Sequence, residues 1–159
     1  MSFVETMTRF GTDITPSSFP DDDGAADSEV LAALHIHAAS QSALTEAGVI
    51  TSLRGTRLLV PIVAHADSVD ETRAEKDSHI AAVTFESRDG RVGLPAFTSL
   101  DSLREWNPEA RPLPQFAENV AQSCIDQGFD ALLIDMASAH RCALTKPALI
   151  RLLSRATRG

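Results

Sequence analysis

Four side chains able to carry chemistry fall within eight residues: Asp135, Ser138, His140 and Cys142. They begin at the end of the run Phe129–Met136, which reads as a buried strand, and open α/β sheets place ligands beyond the carboxyl ends of their strands. Carboxylate, hydroxyl and imidazole are the parts of a hydrolytic relay. The spacing argues against one. A nucleophile needs its base within hydrogen-bond reach and a third group to orient that base, and Ser138 and His140 point the same way only in extended chain. No Gly-x-Ser-x-Gly elbow occurs anywhere. The plainer reading is a polar loop.

A second candidate is the stretch Gly93–Trp106 (GLPAFTSLDSLREW), which reads as a strand breaking into a short helix. The hydroxyls of Thr98 and Ser99, with exposed helix amides, could hold an anion or a peptide carboxylate. They could equally cap the helix and satisfy those same amides. Asp101 favours the cap, since its charge would repel an incoming anion. Trp106 is read as core or as the rim of a groove; a lone Trp marks a binding hot spot only where it is exposed.

The remaining candidates are weaker. His35 and His37 sit two apart on a helix, diverge by roughly 200° and cannot share an ion. His65 and His79, with Asp67 and Asp77, flank a charged loop and could approach across paired strands. No Cys-x-x-Cys or His-Glu-x-x-His spacing supports zinc, and phosphate-loop, dinucleotide and calcium-loop motifs do not occur. We therefore expect no metal and no cofactor. Arg151, Arg155 and Arg158 share one helical face, which suits an acidic partner or plain solvation.

The elements that must position these groups follow from periodicity and punctuation. Residues 1–27 read as a flexible acidic arm, rich in Pro, Gly and Asp and poor in large apolar residues. A helix is expected over roughly 28–46, capped by Asp27 or Ser28. Arg57–His65 is a continuous apolar run and so a buried strand, in which Pro61 suggests an edge or a bulge. Residues 66–77 form a charged loop. Ser78–Glu86 and Arg91–Phe97 read as a hairpin about Asp89-Gly90, with Pro95 at an edge or a break in pairing. A short helix follows to Trp106, then a stiff loop over 107–114, a helix over 114–127 stopped by Gly128, the strand 129–136, and a last helix over 145–156 with Leu149, Ile150, Leu152 and Leu153 inward. The fold class is α/β (α+β): a single mixed sheet with an antiparallel hairpin, flanked by helices.

Composition narrows the function. The 159 residues carry a net charge of −8, of which the first 27 contribute −5, while residues 141–159 hold five basic groups and no acid. Nucleic-acid binding is disfavoured, because duplex phosphates need several cations on one face. Aromatic residues make up 5%, with no Tyr, too few for base stacking or a sugar platform. The two cysteines match neither a disulfide framework nor a metal site. No apolar run approaches a bilayer span and the N-terminus lacks a secretory pattern, so a cytoplasmic protein without membrane contact is expected.

The order of parts resembles the SseB-like family, specifically its N-terminal domain. The matching residues are Leu58–Val63 (LLVPIV), the Asp89-Gly90 hairpin, Leu94–Ser99 (LPAFTS), the short helix ending at Trp106, and the late helix-strand-helix. The resemblance covers roughly 28–155. It implies a small bacterial intracellular α/β domain and, since the family has no agreed activity, little chemistry. Family members often carry an Asn-Pro-Gly-like turn after the late strand, where this chain has Asp135-Met136-Ala137; any binding by that turn is in doubt here. Together these readings favour a non-enzymatic interaction or regulatory module, with a protein partner or self-association through a sheet edge or the 100–106 helix. The alternative is a small-molecule or anion-binding protein, extending to a hydrolase, using Thr98, Ser99, Asp135 and Ser138.

Overall fold

The computed structural model describes residues 3–9, 22–64 and 80–154. Among these, seven strands form one mixed sheet with helices flanking it, the α+β class expected. In chain order they are β1 (Phe3–Arg9), α1 (Ser28–Ala39), α2 (Ala43–Leu53), β2 (Arg57–Ala64), β3 (Ile80–Ser87), β4 (Val92–Ala96), α3 (Leu100–Trp106), β5 (Arg111–Phe116), α4 (Ala117–Gln127), β6 (Ala131–Ile134), β7 (Cys142–Thr145) and α5 (Lys146–Leu153). The main path runs β5-β2-β3-β4-β6-β7. All pairings are antiparallel except β4 with β6, which is parallel. β3 is shared: its first residues pair with β2, its last with β4, and β1 takes its other flank.

Alternate residues of the sheet feed two cores. Leu58, Val60, Leu94, Ala96, Leu132, Ile134 and Leu144 join α1, α2, α4 and α5 in the larger one. On the opposite face Leu59, Phe97 and Leu103 form a smaller one, with Leu100, Trp106 and Met136 packed against it. Trp106 stacks on Phe97 with ring centroids 5.4 Å apart and meets Phe85 edge-on at 5.7 Å. It is therefore core, and also one wall of a depression shared with Pro61, Ile62 and Val83.

Four details depart from the sequence reading. The helix expected over 28–46 is two helices, because Ser42 starts a new one: its hydroxyl accepts the Thr45 amide while Thr45 returns a bond to the Ser42 amide. The helix expected from 114 starts at Ala117, since Arg111–Phe116 is drawn out as β5 along β2. Residues 142–145, read as loop, form β7. Ile150, expected inward, is 53% exposed, while Leu149 and Leu152 are buried.

Pro61 lies in an internal strand rather than at an edge, and the register explains why it is tolerated. It faces Pro112, and Leu59 faces Pro114. Leu59 exchanges both its backbone bonds with Phe97 on the other side, so residues 59 and 61 turn their amides away from β5. The missing donor of Pro61 falls between the Leu59–Phe97 bridge and the start of β2–β3 pairing at Ile62. By the same alternation Pro112 and Pro114 lack the amides that would face outward from β5. All three prolines therefore occupy positions where the ladder asks nothing of them.

Residues 22–25 are strapped to the sheet by Arg57. Its guanidinium takes the Asp22 carboxylate in a fork, Nε to Oδ2 at 2.6 Å and Nη2 to Oδ1 at 2.7 Å, and also donates to the carbonyls of Thr98 at 2.6 Å and Ala25 at 3.0 Å. Gly24 presses on Leu100, where a Cβ would come within 2.6 Å of its side chain, and its φ of +83° favours glycine independently. The Asp22 charge of this stretch thus meets Arg57.

The Arg57 hydrogen bonds hold the Asp22 carboxyl below its ordinary value of 3.8. A depressed folded value means the contribution is present above the unfolded value and disappears as pH falls through the folded one. Asp22→Asn is therefore expected to cost about 1 kcal/mol at neutral pH, with the gap from the parent protein closing below about pH 3.8. Urea unfolding from pH 7 to pH 2.5 measures it; a gap independent of pH would refute the pairing.

Candidate functional site

The carboxyl ends of the parallel strands β4 and β6 lie side by side, and Asp135 follows β6 directly. Its side chain is fully buried and its φ is +49°, in the left-handed region where Asp and Asn are the best tolerated residues after glycine. Its amide bonds the Ala96 carbonyl at 3.0 Å, which turns the carboxylate toward β4. There it is filled by four partners. Oδ1 accepts the Thr98 amide at 2.8 Å and lies 2.9 Å from Ser102 Oγ; Oδ2 accepts Thr98 Oγ1 at 2.6 Å and lies 2.8 Å from His140 Nε2. A carboxylate only accepts, so Nε2 carries the proton.

The two sequence candidates are therefore one cluster. Thr98 bonds to Asp135 by both main chain and side chain. Ser99 is the helix cap: its hydroxyl accepts the Ser102 amide at 3.0 Å, and the Ser102 hydroxyl reaches back to the Ser99 amide at 3.2 Å. The Leu100 amide is taken by the Gly24 carbonyl at 2.9 Å, and the Leu103 amide by the Ser99 carbonyl at 3.0 Å. Ser138 closes the turn after β6, its amide and hydroxyl both bonding the Asp135 carbonyl at 2.9 Å. Ser102 and His140 complete the cluster. Ser102 was readable in the sequence only as part of a Ser-x-x-Ser cap.

The order of contacts decides what this cluster can do. In a nucleophilic relay the imidazole stands between hydroxyl and carboxylate. Here the carboxylate stands between the hydroxyls and the imidazole, so His140 is hydrogen-bonded to neither Thr98 nor Ser102 and cannot take their protons directly. Cys142 is no better placed as a nucleophile, because burial, aided by the charge of Glu46, pushes its thiol up to about 11; burial alone pushes Cys124 to about 12. The arrangement is built to join elements.

Other candidates fall elsewhere. His37 is buried against Thr45, Nδ1 to Oγ1 at 2.7 Å, and His35 faces away from it, with its ring 4.8 Å from that of His140. Arg151 pairs with Glu46 at 2.8 Å. Arg155, Arg158, His65, His79, Asp67 and Asp77 lie outside the described residues. Among the described residues no group of three or more His, Cys, Asp or Glu is placed to hold a metal ion, and no helix is long and apolar enough to cross a membrane.

One surface was not legible in the sequence. The small core covers the sheet only near β2 and β4, leaving Ala131 and Leu133 of β6 and Ala143 and Thr145 of β7 facing outward. They line a depression of about 230 Å³ rimmed by Asp89, Arg91 and Asp130. Gly93 allows its shape: Leu133 lies across it so closely that a Cβ there would come within 2.7 Å. Beside the depression β7 ends the sheet path. Asp130 donates its amide to Val92 of β4, so even-numbered amides of β6 point to β4 and odd-numbered ones to β7. The bonded pairs are then 131 with 145 and 133 with 143, and the backbone of Cys142 and Leu144 turns outward.

The family model described as SseB protein N-terminal domain matches residues 30–150. No curated protein and no solved structure matches the chain.

Removing the Asp135 carboxylate strands the Thr98 hydroxyl, the His140 Nε2–H and the buried Thr98 amide, while the Ser102 hydroxyl keeps the Ser99 carbonyl at 3.0 Å. Asp135→Ala is expected to destabilise by about 3–5 kcal/mol, Thr98→Val by about 1–2 kcal/mol, and Ser138→Ala by less than about 1 kcal/mol. Chemical denaturation of the three variants tests this order; a Ser138 effect equal to that of Asp135 would contradict it.

Proposed function

This chain belongs to the SseB protein N-terminal domain family, and we propose that it is a non-enzymatic interaction module that takes up an extended peptide segment of a partner protein along β7. The observation that carries the reading is the outward-turned backbone of Cys142 and Leu144 beside the apolar depression of Leu133, Ala131 and Ala143. An added strand would satisfy those backbone groups, and its alternate side chains would enter the depression. The saturation of Asp135 supports the same reading from the other side, since the polar groups best placed for catalysis are spent on one another.

A peptide segment fits better than a second copy of this domain. β7 has four residues, and a stable dimer requires about 800 Å² from each partner, more than one short edge and a small depression provide. The small-molecule and anion reading at Thr98, Ser99, Asp135 and Ser138 has less support, because the hydroxyls and the Thr98, Ser99, Leu100, Ser102 and Leu103 amides there already have partners within the fold. Two free thiols, both buried, accord with a reducing, cytoplasmic setting.

Selection from a displayed library of random peptides tests the proposal. Binders are expected to be extended, with an apolar residue at alternate positions, and to shift the β7 amide resonances. Ala143→Glu, a change at an exposed position that fills the depression, should weaken them at least about tenfold. Binders unaffected by this change, or mapping to α3, would refute the β7 site.

A further inference from the structure

We propose that His35 and His140 together bind a transition-metal dication of the Zn²⁺, Ni²⁺ and Cu²⁺ class. The rings come from distant parts of the chain, α1 and the turn between β6 and β7, and meet with centroids 4.8 Å apart at an interplanar angle of 49°. A metal–nitrogen bond of about 2.1 Å puts each imidazole centroid about 3.2 Å from a shared ion. Two such centroids 4.8 Å apart subtend an angle of roughly 95–100° at the ion, between the octahedral and tetrahedral values. The separation of the two rings is thus compatible with a shared ion.

The tautomer of His140 is also set. Asp135 accepts a hydrogen bond from Nε2–H at 2.8 Å, which in the neutral ring leaves Nδ1 with its lone pair free to coordinate. No buried side-chain nitrogen or oxygen among the described residues lacks a partner, and Nδ1 has no bond within the described protein, so it reaches solvent. A buried carboxylate behind an imidazole whose second nitrogen faces outward is the supporting arrangement found behind metal-binding histidines, where it fixes the ring and raises its basicity. His35 is exposed and stands beside it. Imidazole donors select Zn²⁺, Ni²⁺ or Cu²⁺ over Mg²⁺ and Ca²⁺. With no third protein donor at hand among the described residues, the other positions go to water, and the ion ties α1 to the Asp135 cluster.

The test uses the full chain with His65→Gln and His79→Gln, which removes the two histidines outside the described residues. Calorimetric titration with Zn²⁺ is expected to give one ion per chain, and Mg²⁺ none. Cu²⁺ paramagnetic resonance should report two imidazole nitrogens, falling to one in His35→Ala with at least about tenfold weaker affinity. His35 is exposed and makes no hydrogen bond that folding needs, so this variant decides the matter even if His140→Ala fails to fold. No binding by the parent chain, or binding and spectrum unchanged in His35→Ala, would overturn the proposal.

Discussion

The corner of this domain depends on a single carboxylate. Asp135 sits where the only parallel pair among the described strands ends, and the chain must leave both strands in different directions there. A buried charge is tolerable only when its acceptor sites are filled, and the residues that fill them, Thr98, Ser102 and His140, belong to the exit from β4, the first turn of α3 and the turn before β7. Each departing segment is thereby fixed relative to the others. Position 135 is constrained twice. Its left-handed backbone favours Gly, Asn or Asp, and its four donors favour a carboxylate. Relatives with Asn in the corresponding turn would meet the first constraint and only part of the second.

Much of the fold was legible because local chemistry and tertiary structure agree. The Asp89-Gly90 turn, the Gly128 stop with its φ of +76°, the Ser99 cap and the buried runs of β2 and β6 are all signals whose mechanism is contained in a few neighbouring residues. Pro95, read as an edge or a break in pairing, lies past the point where β3–β4 pairing stops at Gly93, yet it stays in register with Leu133 of β6, so β4 is no edge. What failed was what a neighbour decides. Pro112 and Pro114 argue for loop on local grounds, and only the alternation set by β2 makes them acceptable in a strand. Ser42 followed by Thr45 is a capping box with Thr in place of the usual acid, easily lost in an Ala-rich run. Cys142–Thr145 is too short to announce itself without β6 beside it.

The candidate site was legible in its residues but not in its logic. Sequence reading picked out Thr98, Ser99, Asp135 and Ser138, and all four lie at one corner. Thr98 and Asp135 are in contact, whereas Ser99 and Ser138 close local turns on either side. Which group stands between which others is a matter of position across 33 to 37 residues of chain, and that order separates a relay from a structural joint. The histidines illustrate the same point. His35 was compared with its helix neighbour His37, while its actual neighbour is more than a hundred residues away.

That separation also sets an order of assembly. The β3–β4 hairpin closes over a few residues and can form as soon as they are available. The bonds of Thr98 and Ser102 to Asp135 close loops of 37 and 33 residues, and such long-range contacts form after their chain-entropy cost is met. During synthesis, α3 is made before the carboxylate it will bond. Its own Ser99 cap must hold that turn until β6 arrives, so the doubled serines of this helix serve a nascent chain as well as a finished one.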